Sequence, residues 1–159
     1  MNIVKSLSSG ILISTLLLAP AIASATQAVH EHAPAAQNQL TLDHGKRWAT
    51  DAALRDGMTS IRAAMAAKLP AIHDNTLDDA GYAALVAELE TALTGIFKNC
   101  RLPPAADMQL HHILLPMNAA IQDMKQAKTA AQRHDAAVAI LGGLADYGQY
   151  FDHPGWQPL

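Results

Sequence analysis

A single cysteine, Cys100, and eight histidines are the residues of this chain best equipped for coordination chemistry. A thiolate beside an imidazole is a soft donor set that suits Cu(I), and with a carboxylate added it suits Zn(II) equally. Cys100 and His111 are therefore the primary candidate ligands, with Met108, His44 or His153 completing the set. Asp107 lies four residues before His111, so on a helix the two side chains meet. A carboxylate that accepts the N–H of one ring nitrogen leaves the other nitrogen free for a metal, and Asp107 is expected to orient His111 in this way. His30-Glu31-His32 is a separate feature, two imidazoles flanking a carboxylate, able to chelate a divalent ion weakly. The eleven-residue step from Cys100 to His111 matches no compact metal signature. The competing reading of Cys100 is a small buried hydrophobe, as most free cysteines are.

Other chemistries find less to build on. Beyond residue 25 the one serine is Ser60, so no serine nucleophile stands beside a histidine. Cys100 and His111 as a thiolate pair would lack an oxyanion hole and a substrate cleft, and the chain is not expected to be an enzyme. The absence of Cys-x-x-Cys-His excludes covalent c-type haem, whereas haem b needs two axial ligands at matching depth. Met58 and His111 are the pair that the helical register offers for it. A formal net charge of −3, a pI near 6.2 and 4% aromatic residues exclude a basic, base-stacking nucleic-acid surface. One cysteine also excludes an intramolecular disulfide framework.

The elements that must position these groups are helical. Residues 1–25 read as a secretory signal: Lys5, an apolar run from Gly10 to Ala19, then Ala23-Ser24-Ala25 as the cleavage pattern. That run is too short to span a membrane, so the expectation is cleavage after Ala25, delivery to the periplasm and no stable membrane insertion afterwards. Residues 26–39 form a polar, Pro-containing tail, expected to be disordered, that carries His30 and His32. Residues 40–159 form the domain. A first helix begins with Thr50 as its cap and ends at Pro70; Leu54, Met58, Ile61, Met65 and Leu69 recur along one face. A second begins at Thr76 and buries Tyr82, Leu85, Leu89, Leu93, Ile96 and Phe97. A third opens with Pro104 and carries Leu110, Ile113, Leu114, Met117, Ile121 and Met124, with Pro116 kinking it. A fourth runs from about Thr129 to Phe151 with Ala137, Leu141, Leu144, Gly148 and Phe151 inward, and Gly142-Gly143 in its middle either lets another helix approach closely or weakens it.

No stretch alternates long enough for a sheet, so the fold class is all-α, an antiparallel up-down-up-down four-helix bundle. This topology collects His44, Cys100, Asp107, His111, His112 and His153 at one pole, where the tail with His30 and His32 also emerges. His73 and His134 fall at the other. The methionines on the stripes are core filler. The leading expectation is a periplasmic copper- or zinc-binding protein for storage, delivery or resistance. Its rival is a non-catalytic module that binds a periplasmic partner protein through the outer side of the third helix at Leu115, and a b-type haem carrier stands third.

Several segments carry a resemblance. Gly45-Lys46-Arg47-Trp48-Ala49-Thr50-Asp51, Leu54-Arg55-Asp56-Gly57-Met58, Asn99-Cys100-Arg101-Leu102-Pro103-Pro104-Ala105-Ala106-Asp107, Leu110-His111 and Phe151-Asp152-His153-Pro154-Gly155-Trp156 resemble a group of small periplasmic helical-bundle proteins of Gram-negative bacteria, some with His-rich tails after the signal. The resemblance spans residues 40–159. It implies location and fold without an activity, and it draws Cys100, Asp107, His111 and His153 together as the set to test.

Overall fold

Residues 39–159 are described in a computed structural model; residues 1–38, on which the expected signal and nearly all of the expected tail with His30 and His32 fall, lie outside the described residues. Four helices follow one another: α1 (Ala52–His73), α2 (Asp79–Asn99), α3 (Pro104–Gln126) and α4 (Ala130–Tyr150). Two-residue strands flank them, β1 (Trp48–Ala49) before α1 and β2 (Phe151–Asp152) after α4.

Each helix starts where a side chain satisfies its orphan N–H groups. Asp51, one residue after the expected Thr50, caps α1 by accepting from Leu54 N at 2.7 Å. Thr50 instead donates its hydroxyl to Asp152 O at 2.6 Å, across the β1–β2 junction. Asp78 rather than Thr76 caps α2, accepting from Gly81 N at 2.8 Å. Pro104 occupies the first turn of α3, where its missing N–H costs nothing. Thr129 and Gln132 close a reciprocal capping box on α4. Pro70 does not end α1: the helix runs three residues further, to His73, and turns out through Asp74 and Asn75.

The helices pack as a four-helix bundle. Consecutive helices lie side by side, α1 with α2 and α3 with α4 most extensively, and α1 meets α4 to close the set. The apolar stripes form one core in which Leu54, Met58, Ile61, Met65, Leu85, Leu89, Ile113, Leu114 and Met117 are almost wholly buried. Each such side chain contributes roughly 1.5–3 kcal/mol relative to exposure. Phe97 departs from its expected inward place and is 46% exposed. Ile96 takes the core position, and a neighbour one residue on is rotated by about 100° around the helix. Gly143 lets α4 approach α3 closely: a Cβ there would stand 2.7 Å from Met117 Cε, whereas Gly142 faces open space. Polar ties fasten the seams, Lys125 Nζ to Glu90 at 2.8 Å between α3 and α2, and Arg133 Nη1 to Asp79 at 2.6 Å between α4 and α2.

The strands were not expected. Trp48 and Ala49 pair in parallel with Phe151 and Asp152, which ties the entry to α1 to the exit from α4. Trp156 then folds back beside Gly148, where a Cβ would stand 2.5 Å from Trp156 Nε1.

Candidate functional site

The start of α1, the end of α2 and the start of α3 are drawn together by one carboxylate. Asp51 caps α1 with Oδ1, while its Oδ2 accepts the Arg101 N–H at 2.5 Å and the carboxylate accepts the Cys100 thiol. Cys100 itself ends α2, its backbone N–H donating to Ile96 O at 2.9 Å. Three residues later Pro103 O receives Asp107 N and α3 begins. The half-buried thiol therefore faces the first turns of α3.

Cys100, Asp107 and His111 line one cleft of about 240 Å³, floored by Ile96, Leu110 and Leu114 and rimmed by Phe97. These are three of the residues singled out from their types and spacing. His111 Nδ1 lies 2.8 Å from the Asp107 carbonyl oxygen and 3.5 Å from Asp107 Oδ2. A carbonyl only accepts, so Nδ1 carries the hydrogen and the neutral ring keeps its lone pair on Nε2. Asp107 thus orients His111 chiefly through its main chain, with the expected carboxylate standing behind it. The His111 side chain is 47% exposed. His112, expected on the solvent side, is the more covered of the two. Gln109, three residues earlier on the same flank, accepts the Thr41 N–H at 2.8 Å.

Electrostatics at the thiol favour its protonated form. Burial pushes the Cys100 thiol up to about 11, and the carboxylates of Asp51 and Asp107 act in the same direction against Arg101. Burial would also raise Asp51. The N–H groups of Arg101 and Leu54, the thiol and Arg55 outweigh it and hold that carboxyl below its ordinary value. A metal ion arriving here must displace the thiol proton, as any thiolate ligand requires.

The other candidates stand elsewhere. His44 sits in the Asp43–Lys46 turn at φ 48°, its side chain fully exposed and 3.8 Å from Asp43. His153 Nδ1 shares a hydrogen bond with the Tyr147 hydroxyl at 2.9 Å and lies among the rings of Tyr147 and Trp156. Burial and Arg55 hold its imidazole below the usual histidine range, against Asp56. Neither His44 nor His153 lines the cleft of Cys100. Met108 is exposed beside Asp107. Among the described residues no three His, Cys, Asp or Glu side chains converge closely enough to hold an ion between them. Met58 is fully buried while the His111 side chain stands half in solvent.

Two features escaped the sequence. Asp51 reads there only as a helix-start acid, because Arg101 and Cys100 are about fifty residues away. The Tyr147–His153 bond joins residues six apart across a helix end, where no periodicity applies. Among the described residues no helix is long and apolar enough to cross a membrane. No protein-family model, curated protein or solved structure matches the chain.

Proposed function

We propose that the chain is an exported protein that binds a soft transition-metal ion, Cu(I) ahead of Zn(II), with Cys100 and His111 as ligands, for storage, delivery or resistance. One observation carries the reading: the thiol of Cys100 and the ring of His111 line the same cleft, and Nδ1 of that ring is already engaged, which leaves Nε2 as the free donor. Zinc sites ordinarily use four protein ligands or three and a water, more than this cleft presents. Cu(I) is content with two or three donors and favours sulfur. Uptake releases the thiol proton, so affinity rises by roughly tenfold per pH unit through neutrality. Export to the periplasm, with cleavage after Ala25, rests on the character of residues 1–25. The up-down-up-down course is supported by the ties among helix ends, Asp51 to Arg101 and Thr50 to Asp152.

The test is a Cu(I) titration of the purified protein against a chromophoric chelator. One ion per chain is expected, lost when Cys100→Ser is combined with His111→Ala. Unchanged uptake by that double variant would remove the reading. A second reading, a module that docks a periplasmic partner protein, is supported by the exposure of Phe97, Met108 and Leu115. Under it, substitution of these three would abolish partner capture while leaving metal content alone.

A further inference from the structure

Away from Cys100, the first half of α2, the end of α3 and the start of α4 border a groove of about 450 Å³. That volume falls within the range of small-molecule sites. Its floor is apolar: Tyr82 and Val86 of α2 and Met124 of α3 line it and are buried, and Ala83 adds only a methyl group at the surface. Between Asp79 and Glu90, which mark its two ends, α2 rises by about 16 Å. The ends are charged and unlike. At one, Glu90 Oε1 is fully engaged, accepting from Lys125 Nζ at 2.8 Å and from Gln122 Nε2 at 3.0 Å. At the other, the Arg133 guanidinium lies over the Tyr82 ring, 5.0 Å from its centroid, with Nη1 2.6 Å from Asp79 Oδ1. The Arg133 side chain is 21% exposed and that of Asp79 is 87% exposed. The cation is thus held in place by the aromatic ring, while its counter-ion stands in water, where an ion pair contributes little. Asp79 is the one carboxylate paired with Arg133 among the described residues. A guanidinium carries five N–H donors in a planar fork that matches a carboxylate, more than this single pairing needs.

We propose that this groove binds an aliphatic monocarboxylate of medium chain length, with its carboxylate on Arg133 in place of Asp79 and its chain lying over Tyr82, Val86 and Met124 toward Glu90. The unlike ends select the class. Arg133 exchanges an exposed partner for a ligand carboxylate and stays paired throughout, and the displaced Asp79 turns into solvent. The Glu90 end is already satisfied by Lys125 and Gln122, so a second carboxylate on the ligand would meet an occupied cation and a negative neighbour. A chain of methylenes instead covers apolar floor, each one adding up to about fourfold to affinity. An ammonium head group would face Arg133 and be repelled. This site shares no residue with the cleft of Cys100 and does not depend on the metal-binding reading.

The experiment is isothermal titration calorimetry of the purified full chain with sodium decanoate below its micellar concentration, with octanoate and decylammonium as comparison ligands. Three variants are run beside the parent: Arg133→Gln, Asp79→Asn and Ala83→Glu. Far-UV circular dichroism confirms that each retains its helices, and the exposed Ala83 position tolerates glutamate in a helix. One decanoate per chain is expected, with octanoate bound about tenfold more weakly for its two missing methylenes. Arg133→Gln should weaken decanoate binding about tenfold or more, because a charge-assisted pair is lost. Ala83→Glu should weaken it too, by setting a negative charge in the groove. Asp79→Asn should tighten it about threefold, since the rival for Arg133 loses its charge. Absence of saturable binding would overturn the inference, as would undiminished affinity in either Arg133→Gln or Ala83→Glu. Decylammonium bound as tightly as decanoate would overturn it as well, by showing adsorption to apolar surface without selection by Arg133.

Discussion

Two histidines at the same end of the bundle are held in opposite ways. His153 is hydrogen-bonded to the Tyr147 hydroxyl and packs with Tyr147 and Trp156, the three ring centroids lying 4.8–5.7 Å apart. His111 has one nitrogen fixed by the backbone of its own helix and presents the other beside a thiol. The first region joins the chain's end to the bundle and spends its polar groups doing so. The second leaves donor atoms unspent. A histidine's neighbours, more than its presence in a cluster, decide whether it serves the fold or a ligand.

That contrast can be broken from either side. Trp156→Ala strips the aromatic cover from Tyr147 and should destabilise the protein by about 3 kcal/mol in urea, near the low end for loss of a large aromatic because the ring is partly exposed. An unchanged midpoint would mean that the C-terminal turn is ornamental. Asp51→Ala should cost about 2 kcal/mol, since it removes a helix cap and leaves the Arg101 N–H without its acceptor. Because the folded state holds the Asp51 carboxyl below its ordinary value of 3.8, its contribution is present above that value and fades as pH falls through the lowered one. Thermal melts of the variant should accordingly converge on the parent only in strong acid.

A smaller effect belongs to the Tyr147–His153 bond. Tyr147→Phe should cost about 1 kcal/mol, the usual worth of a hydrogen bond whose partner can be resolvated. The folded state keeps His153 neutral below its ordinary value of 6.5. The unfolded chain therefore binds the extra proton first, and stability declines as pH falls below that value. His153→Gln should flatten this slope between about pH 7 and pH 5; an unaltered slope would place the titrating group elsewhere. Least of all should come from His111→Ala, expected within about 0.5 kcal/mol of the parent as for other exposed positions. A large loss there would assign His111 to the fold and dissolve the contrast between the two regions.

How much of this was legible in the chain follows from the length scale of each feature. The stripe Leu54, Met58, Ile61, Met65, Leu69 announces α1 because burial repeats every turn; the first four are buried and Leu69, near the helix end, is only partly covered. Helix starts shifted by a residue or two because Thr50 and Asp51 are both competent caps, and only the strand partner of Thr50 decides between them. The pairing of Trp48 with Phe151 was invisible, since two residues carry no period. At the site, Cys100, Asp107 and His111 could be brought together from the order of helices alone. The roles of His153 and Asp51 could not, because each depends on a partner that neither spacing nor residue type announces.

The account turns on which ring nitrogen a metal would touch. Side-chain ¹⁵N spectra of the histidines, recorded while Cu(I) is added anaerobically to the purified protein, report this directly. The Nε2 resonance of His111 should shift in step with one equivalent of copper while its Nδ1–H persists and His153 stays still. Movement at His153 or His44 with His111 unchanged would contradict the account.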